Sequence, residues 1–440
     1  MTGSPMKNTV HPLEDKPWPD ARRLMWIVVA AVLLRLIWAL LIPVVPLSDS
    51  AGYDIFARNL VEHGVFGWTP EQPFAFWPPG TSFLYAAMYW VFGYGHTSLI
   101  VLHILISVGL ILTSARVAHR FYGEDAALWC GTLLAVWPTL IMFTTILASE
   151  LLFALLTVAA LDAWTARSGS AWRRGVLAGL LLGMAALVRP QALLLPGVYG
   201  LALVLSSPNP RQVLGLQLRT ALMSGLVMAV LIAPWAWRNY QLYDEFVLIS
   251  TNGGITLWMG NTPGTGGSHM NVPASIAELP DNEQARVLGA MAREYILADP
   301  AAFAMRAVRK VFLLYSNESI GVGWNSEGIA QRFGEASVLW FKRFTQVTWA
   351  ALFLMSLYGV WVLLRREGAW RLLVSPVMLT VLFYTAIHSV VVSQDRYHLN
   401  FAGQIAMFFG IGMASLAHRR GRAPSPPRTA HEPRRALHPH

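Results

Sequence analysis

Apolar side chains in this chain gather in long unbroken runs separated by short polar segments, at 24–45, 97–115, 126–144, 149–165, 172–188, 190–206, 219–236, 346–364, 371–391 and 398–417. A helix needs about 20 such residues to cross a hydrocarbon core of about 30 Å. The pattern therefore predicts an all-α polytopic membrane protein with about ten transmembrane helices. Two stretches need arbitration. Residues 175–206 number 32 and as one helix would run ~48 Å. Arg173 and Arg174 precede them and Arg211 follows them, so two passes joined at Arg189–Pro190 fit better, with the proline starting the second helix. The stretch PPGTSFLYAAMYWVFGYG, 78–95, would turn every later loop to the other side if it crossed. Its Tyr, Trp and Phe residues fit an amphipathic helix lying in the membrane interface.

Composition and charge sharpen this picture. The chain has 440 residues, 55% hydrophobic and 13% charged, about half the usual 25% of charged residues. Under the ten-span topology the segments on one side hold twenty Lys and Arg, and the short loops on the other hold three: Arg58, Arg189 and Arg396. The long loop 237–345 holds nine, but long loops translocate regardless of charge. Both termini are thus expected in the cytoplasm of a cell whose plasma (inner) membrane carries the protein. The first apolar run starts at Leu24 with no small-residue cleavage site after it, so it reads as a retained helix. The expected organisation is a cytoplasmic arm 1–23, a transmembrane catalytic core 24–236 with an outside loop 46–96, the outside loop 237–345, C-terminal spans 346–417 and a basic tail 418–440. The net charge of +9 owes much to that Pro-broken tail, which suits anionic lipid headgroups better than nucleic acid. The single cysteine, Cys130, excludes an intrachain disulfide and a Cys-rich metal cluster.

Charges near hydrocarbon are expensive and usually functional, and several stand at predicted outer span ends. In LSDSAGYDIFARNL, 47–60, a helix would put Asp49 and Tyr53 on one face, with Asp54 beside them. Ser48 or Asp49 capping that helix is the plain structural reading. Glu150, in TTILASELLF, stands at another span edge and could equally mark a helix start. Two acids at one membrane face favour a site. Arg189, Arg238 and Arg396 stand where a membrane-held phosphate would lie, and guanidinium suits phosphate better than ammonium. Arg35 falls inside the first span and is expected to find a structural partner there. His103 and His388 read as buried, hydrogen-bonded histidines. GNTPGTGGS lacks the lysine ending and strand-to-helix context of a phosphate loop, and Asp244–Glu245 reads as a solvated loop face. The opening of the long loop, 238–269, is Gly-rich and expected to be irregular; two membrane-hugging helices broken at Asp299–Pro300 should follow.

The pieces DSAGYDIFARNLVEHGVF, WPPGTSFLYAAMYWVFG, SELLF, LVRPQALLLP, RNYQLYDEFVLISTNGGITLWMGN and DRYHLNF, in this order and spacing over most of 24–417, resemble the C-type-fold membrane glycosyltransferases. The likeness is to glycosyltransferase family 39 and the lipid A aminoarabinose transferases. The resemblance implies a donor made of a sugar on polyprenyl phosphate and a lipid, glycan or protein acceptor, joined outside the cytoplasm. It implies Asp49 as general base or acceptor-orienting group and Glu150 as the second acidic position, with Tyr53, Asp54, Arg189, Arg238, Arg396 and Tyr397 around the substrates. Ser50 stands where some relatives have a second acid, and Trp77 where the aminoarabinose transferases have a lysine, so the phosphate partner must lie elsewhere. No cofactor is assigned and no metal-ligand spacing is visible. The competing classes are a polytopic lipid or solute transporter, which would concentrate ionisable groups near the midplane, and a non-catalytic partner in envelope glycan synthesis.

Overall fold

A computed structural model describes residues 18–166, 170–267 and 270–421. Most of the expected arm 1–23 and tail 418–440 lies outside the described residues. The chain is all helical: α1 Ala21–Leu41, α2 Asp49–His63, α3 Gly80–Phe92, α4 His96–Tyr122, α5 Glu124–Val136, α6 Pro138–Met142 and α7 Glu150–Trp164 form its first part. Then come α8 Ala171–Val188, α9 Leu195–Ser206, α10 Pro210–Tyr243, α11 Asn252–Asn261, α12 Ala274–Ala277, α13 Asp281–Ala298 and α14 Pro300–Ser316. The last part comprises α15 Ile320–Trp324, α16 Ser326–Phe333, α17 Glu335–Glu367, α18 Ala369–Leu373, α19 Pro376–Val390 and α20 Ala402–Gly421.

Every one of the ten apolar runs is largely helical, yet among the described residues six helices are long and apolar enough to cross a membrane, or seven if the bent pair of α5 and the helical turn after it counts as one. The 15-residue α7 and α19 reach only ~22 Å. Conversely, α10 has 34 residues and α17 has 33, so both overrun the predicted spans and shorten the loop between them. α3, at 13 residues, is too short to span. The break at Arg189–Pro190 is present: Arg189 is extended, and a 3-10 turn Pro190–Leu194 leads into α9. The break at Asp299 is also present, with the Asp299 carboxylate capping α14 through the Ala302 amide at 2.9 Å. Of the chain expected to be irregular, 244–251 and 262–267 are so and 268–269 lie outside the described residues, but α10 persists to Tyr243 and Asn252–Asn261 coil into α11; there the apolar spacing of Ile255, Trp258 and Met259, all buried, outweighs the paired glycines.

Sequence detail explains the bend between α5 and α6. Pro138 has no amide to give the Leu134 carbonyl, so that acceptor is orphaned inside the bundle. Arg35, 1% exposed, fills the gap by donating to the carbonyls of Leu134 and Ala135, each at 3.0 Å. This is the structural partner expected for it. His103 likewise meets the Tyr85 hydroxyl at 2.8 Å and the Thr144 carbonyl at 3.0 Å.

The core joins α4, α5, α7, α8, α17 and α20 around Trp137, Trp164, Trp349 and Phe401. Backbones touch where side chains vanish. A Cβ on Gly359 of α17 would lie 1.8 Å from the Phe408 carbonyl of α20, and one on Gly410 would lie 2.2 Å from the Ala126 carbonyl of α5. Outward faces carry the opposite chemistry, with Leu40 86%, Leu222 73% and Leu354 65% exposed, as lipid-facing positions require.

Candidate active site

The short helices are short for one reason: each ends at the same place. Irregular or 3-10 chain at 46–48, 143–149, 189–194 and 391–401 interrupts the bundle there, and such backbone is tolerated at membrane depth only where protein buries it or it lines a cavity. The cavity measures about 520 Å³ and is lined by Asp49, Tyr53, Trp77, Ser149, Arg189, Gln191, His388, Gln394, Arg396 and Tyr397 among others.

Asp49 opens α2. Ser48 before it adopts φ 54°, ψ −126° and makes no side-chain cap, an unusual conformation for a residue with a Cβ. The Asp49 carboxylate is not a cap either; its Oδ2 sits 2.8 Å from Arg396 Nη2. Arg396 also reaches Glu150 Oε1 at 3.8 Å through Nε and donates to Gln394 Oε1 at 2.9 Å. Its guanidinium lies over the rings of Trp324 at 4.7 Å and Tyr397 at 5.1 Å. Arg189 donates to Glu150 Oε1 at 2.6 Å and to Ser149 Oγ at 3.0 Å, and faces Tyr397 from 5.5 Å. Tyr53 donates to the same Ser149 hydroxyl at 3.3 Å; burial, reinforced by the Asp49 charge, pushes its phenol up to about 12, so it stays a neutral donor. Two guanidiniums and one carboxylate thus face the cavity, while the second carboxylate lies behind them.

That second carboxylate is Glu150, the second acidic position implied by the resemblance, where it would help to position acceptor or sugar. Its side chain is 1% exposed, it is absent from the cavity lining, and its oxygen is held by Arg189. It fixes the two arginines instead. Asp54 is displaced from the site altogether: its Oδ1 accepts from Tyr89 at 2.5 Å, its Oδ2 from Tyr94 at 3.0 Å, and His96 lies at 3.4 Å. Burial opposes its ionisation, but hydrogen bonds from His96, Tyr89 and Tyr94 prevail and hold the carboxyl below the usual range. It clamps α2 to the α3–α4 connection, because one residue beyond Tyr53 is about 100° further round the helix. Arg238 is likewise engaged elsewhere. It donates to the Phe74 carbonyl at 2.9 Å and Asn239 Oδ1 at 3.1 Å, and stacks over Trp235 at 4.7 Å, so it ties α10 to the loop after α2 rather than facing the cavity.

Three lining residues were not assigned to the site from sequence: Trp77 and His388 were named in other roles, and Gln191 was not named. Trp77 covers Gly52, where a Cβ would sit 2.4 Å from its ring, and packs on Tyr53 and Phe56 at 6.0 and 5.3 Å. His388 stacks on Tyr397 at 4.5 Å and approaches Gln191 at 3.5 Å. Proximity of Trp77 to the double proline and of Gln191 to Arg189 was the available signal. Among the described residues no three His, Cys, Asp or Glu side chains gather as a metal ion would need.

No family model and no curated protein sequence matches the chain. Solved structures do. The archaeal oligosaccharyltransferase AglB from Archaeoglobus fulgidus, in complex with an inhibitory peptide and a dolichol-phosphate, aligns with 90% of this chain and 50% of its own at 15% identity and a TM-score of 0.53. A second structure of the A. fulgidus oligosaccharyltransferase, tethered with an acceptor peptide, gives 13% identity, 91% and 50% coverage, and again 0.53. ArnT from Cupriavidus metallidurans bound to undecaprenyl phosphate aligns at 16% identity over 92% of this chain and 81% of its own, with a TM-score of 0.45. The chain spans about half the length of the oligosaccharyltransferase it matches. At these identities the likeness is one of architecture: the chain has the C-type fold of membrane glycosyltransferases.

Proposed function

We propose that this chain is an integral-membrane glycosyltransferase that moves a sugar from a polyprenyl-phosphate donor to a lipid, glycan or protein hydroxyl at the outer face of the plasma membrane. The observation that carries the reading is the convergence of Asp49, Arg189 and Arg396 on one cavity at the ends of the short helices. A phosphate leaving group needs fixed positive charge where its negative charge develops, and two arginines supply a planar array of donors there. The acceptor oxygen attacks the anomeric carbon from the face opposite the phosphate. The new C–O bond forms as the bond to the phosphate oxygen breaks, the polyprenyl phosphate departs with the electron pair, and the acceptor proton passes to Asp49. The configuration at that carbon inverts.

Asp49 is tied to Arg396. A donor phosphate, competing for the same guanidinium, loosens that tie and leaves the carboxylate available to the acceptor. Tyr53 and Trp77 supply the wall against which a sugar ring or first isoprene unit can lie. The test is transfer of labelled sugar from synthetic polyprenyl phosphate-sugar by membranes holding matched amounts of wild type and Asp49→Asn. A loss of roughly 10²–10⁴ in rate is expected from removing a general base. Transfer by the variant at the wild-type rate would remove Asp49 from the mechanism.

A further inference from the structure

The ends of α17 and α20 remote from Arg396 form a second recess, ~26 Å along α20 from its first residue. Its volume is about 340 Å³, and Arg365, Arg366, His418 and Arg419 surround a floor of Val362 and Ser415, with Trp361 alongside. We propose that this recess binds the phosphate headgroup of an anionic phospholipid, a function separate from sugar transfer.

Charge is the first argument. No carboxylate lines the recess. Asp125 stands at its edge, 3.4 Å from His418, and Glu367 feels Arg371 and Arg366 without pairing with either. Among the described residues, none of Arg365, Arg366 and Arg419 has an ion-pair partner. Their neighbours at the same end of the bundle behave differently: Arg116 and Arg120 each hold Asp162 at 2.7 Å. A last-turn arginine is favoured by the helix dipole, which accounts for each of the three alone. It does not account for their closing around one concavity, where like charges repel. A phosphate relieves that repulsion, and guanidinium offers it paired donors.

Shape decides between a lipid and a free anion. Both helices are among the six long enough to cross a membrane. On α17, Leu354, Leu357 and Trp361 are 65%, 47% and 45% exposed, and their spacing of three and four residues aligns them below Arg365 on one face. An acyl chain can follow that stripe while the headgroup occupies the recess, with the tryptophan at the polar boundary. Basic pockets between membrane helices recognise anionic headgroups in this manner.

The experiment is native mass spectrometry of the full chain in detergent, titrated with phosphatidylglycerol or phosphatidylcholine, alongside a variant carrying Arg365→Gln, Arg366→Gln and Arg419→Gln. Wild type should retain phosphatidylglycerol at least tenfold more strongly, and the variant should lose that preference, each arginine contributing roughly fivefold. Inorganic phosphate at millimolar concentration should not displace the lipid. Equal retention of both lipids by wild type, or undiminished preference in the variant, overturns the proposal; displacement by inorganic phosphate makes the recess a free-anion site and overturns it equally. If the triple variant does not fold, Arg366→Gln alone should weaken retention severalfold, and an unchanged value there refutes the site.

Discussion

The two arginines of the site should fail in different ways when neutralised. Arg189 is the closer partner of Glu150, at 2.6 Å against 3.8 Å for Arg396, and the Glu150 side chain is 1% exposed. Arg189→Gln therefore leaves a buried carboxylate with one distant cation. Breaking a buried pair from one side typically costs about 3–5 kcal/mol, and the residual Arg396 contact places this case near about 3 kcal/mol, at the lower end of that range. Arg189→Gln combined with Glu150→Gln removes the stranded charge and should recover most of the stability, to within about 1 kcal/mol, as one amide–amide hydrogen bond allows. Donor use should stay impaired in both. The assay is thermal unfolding of purified protein in detergent, with donor KM measured on whatever remains folded. Full stability of Arg189→Gln, or a double variant no more stable than the single one, would refute Glu150 as the anchor of the arginines.

Arg396→Gln should fold normally, because Asp49 is partly exposed and Glu150 keeps Arg189; donor KM should rise roughly 10- to 150-fold, the equivalent of a charge-assisted hydrogen bond of about 1.5–3 kcal/mol, and an unchanged KM would exclude it from phosphate binding. Asp54→Asn should lower stability by roughly 1.5–3 kcal/mol while leaving the kcat of folded protein near wild type. Because the folded carboxyl titrates below its ordinary 3.8, its contribution is present above that value and lost as pH falls through the folded one, so unfolding curves of wild type and variant should start to converge only as pH drops below about 4 and meet below the folded value. Arg238→Gln should loosen the 66–74 loop, seen as faster proteolysis there, with donor KM unchanged; a raised KM would return it to the substrate site.

Asp49, Arg189 and Arg396, which line one cavity, stood out in the sequence because a membrane makes charge costly, so a charge at a span edge is informative; the uncharged Tyr397 entered only through the family resemblance. The same rule misplaced Asp54 and Arg238. Hydropathy marks depth along a helix but not its rotation, and Asp54 differs from Asp49 mainly in rotation. Arg238 shows a second gap: which carbonyls a loop leaves unsatisfied depends on how Phe66–Phe74 folds back, and nothing local to Arg238 encodes that. The helices themselves were legible wherever apolar spacing was long. The overrun of α10 and α17 was not, since polar residues past the membrane edge carry no periodic mark when water or a neighbouring helix can satisfy them.

The contact of Gly359 with the Phe408 carbonyl works as an axial stop. Helices meeting through side chains can slide by small amounts as rotamers adjust, whereas a backbone seated in a backbone notch has one permitted depth. α20 is held there by two such notches, at Gly359 and at Gly410, and the turn bearing Arg396 is its rigid upward continuation. Under the proposed function, the height at which the guanidinium would meet a donor phosphate is thus gauged within the hydrocarbon, from positions remote from the cavity. Adding one methyl at Gly359 would shift the arginine bodily, so that a variant with every catalytic residue intact would grip its donor at the wrong level.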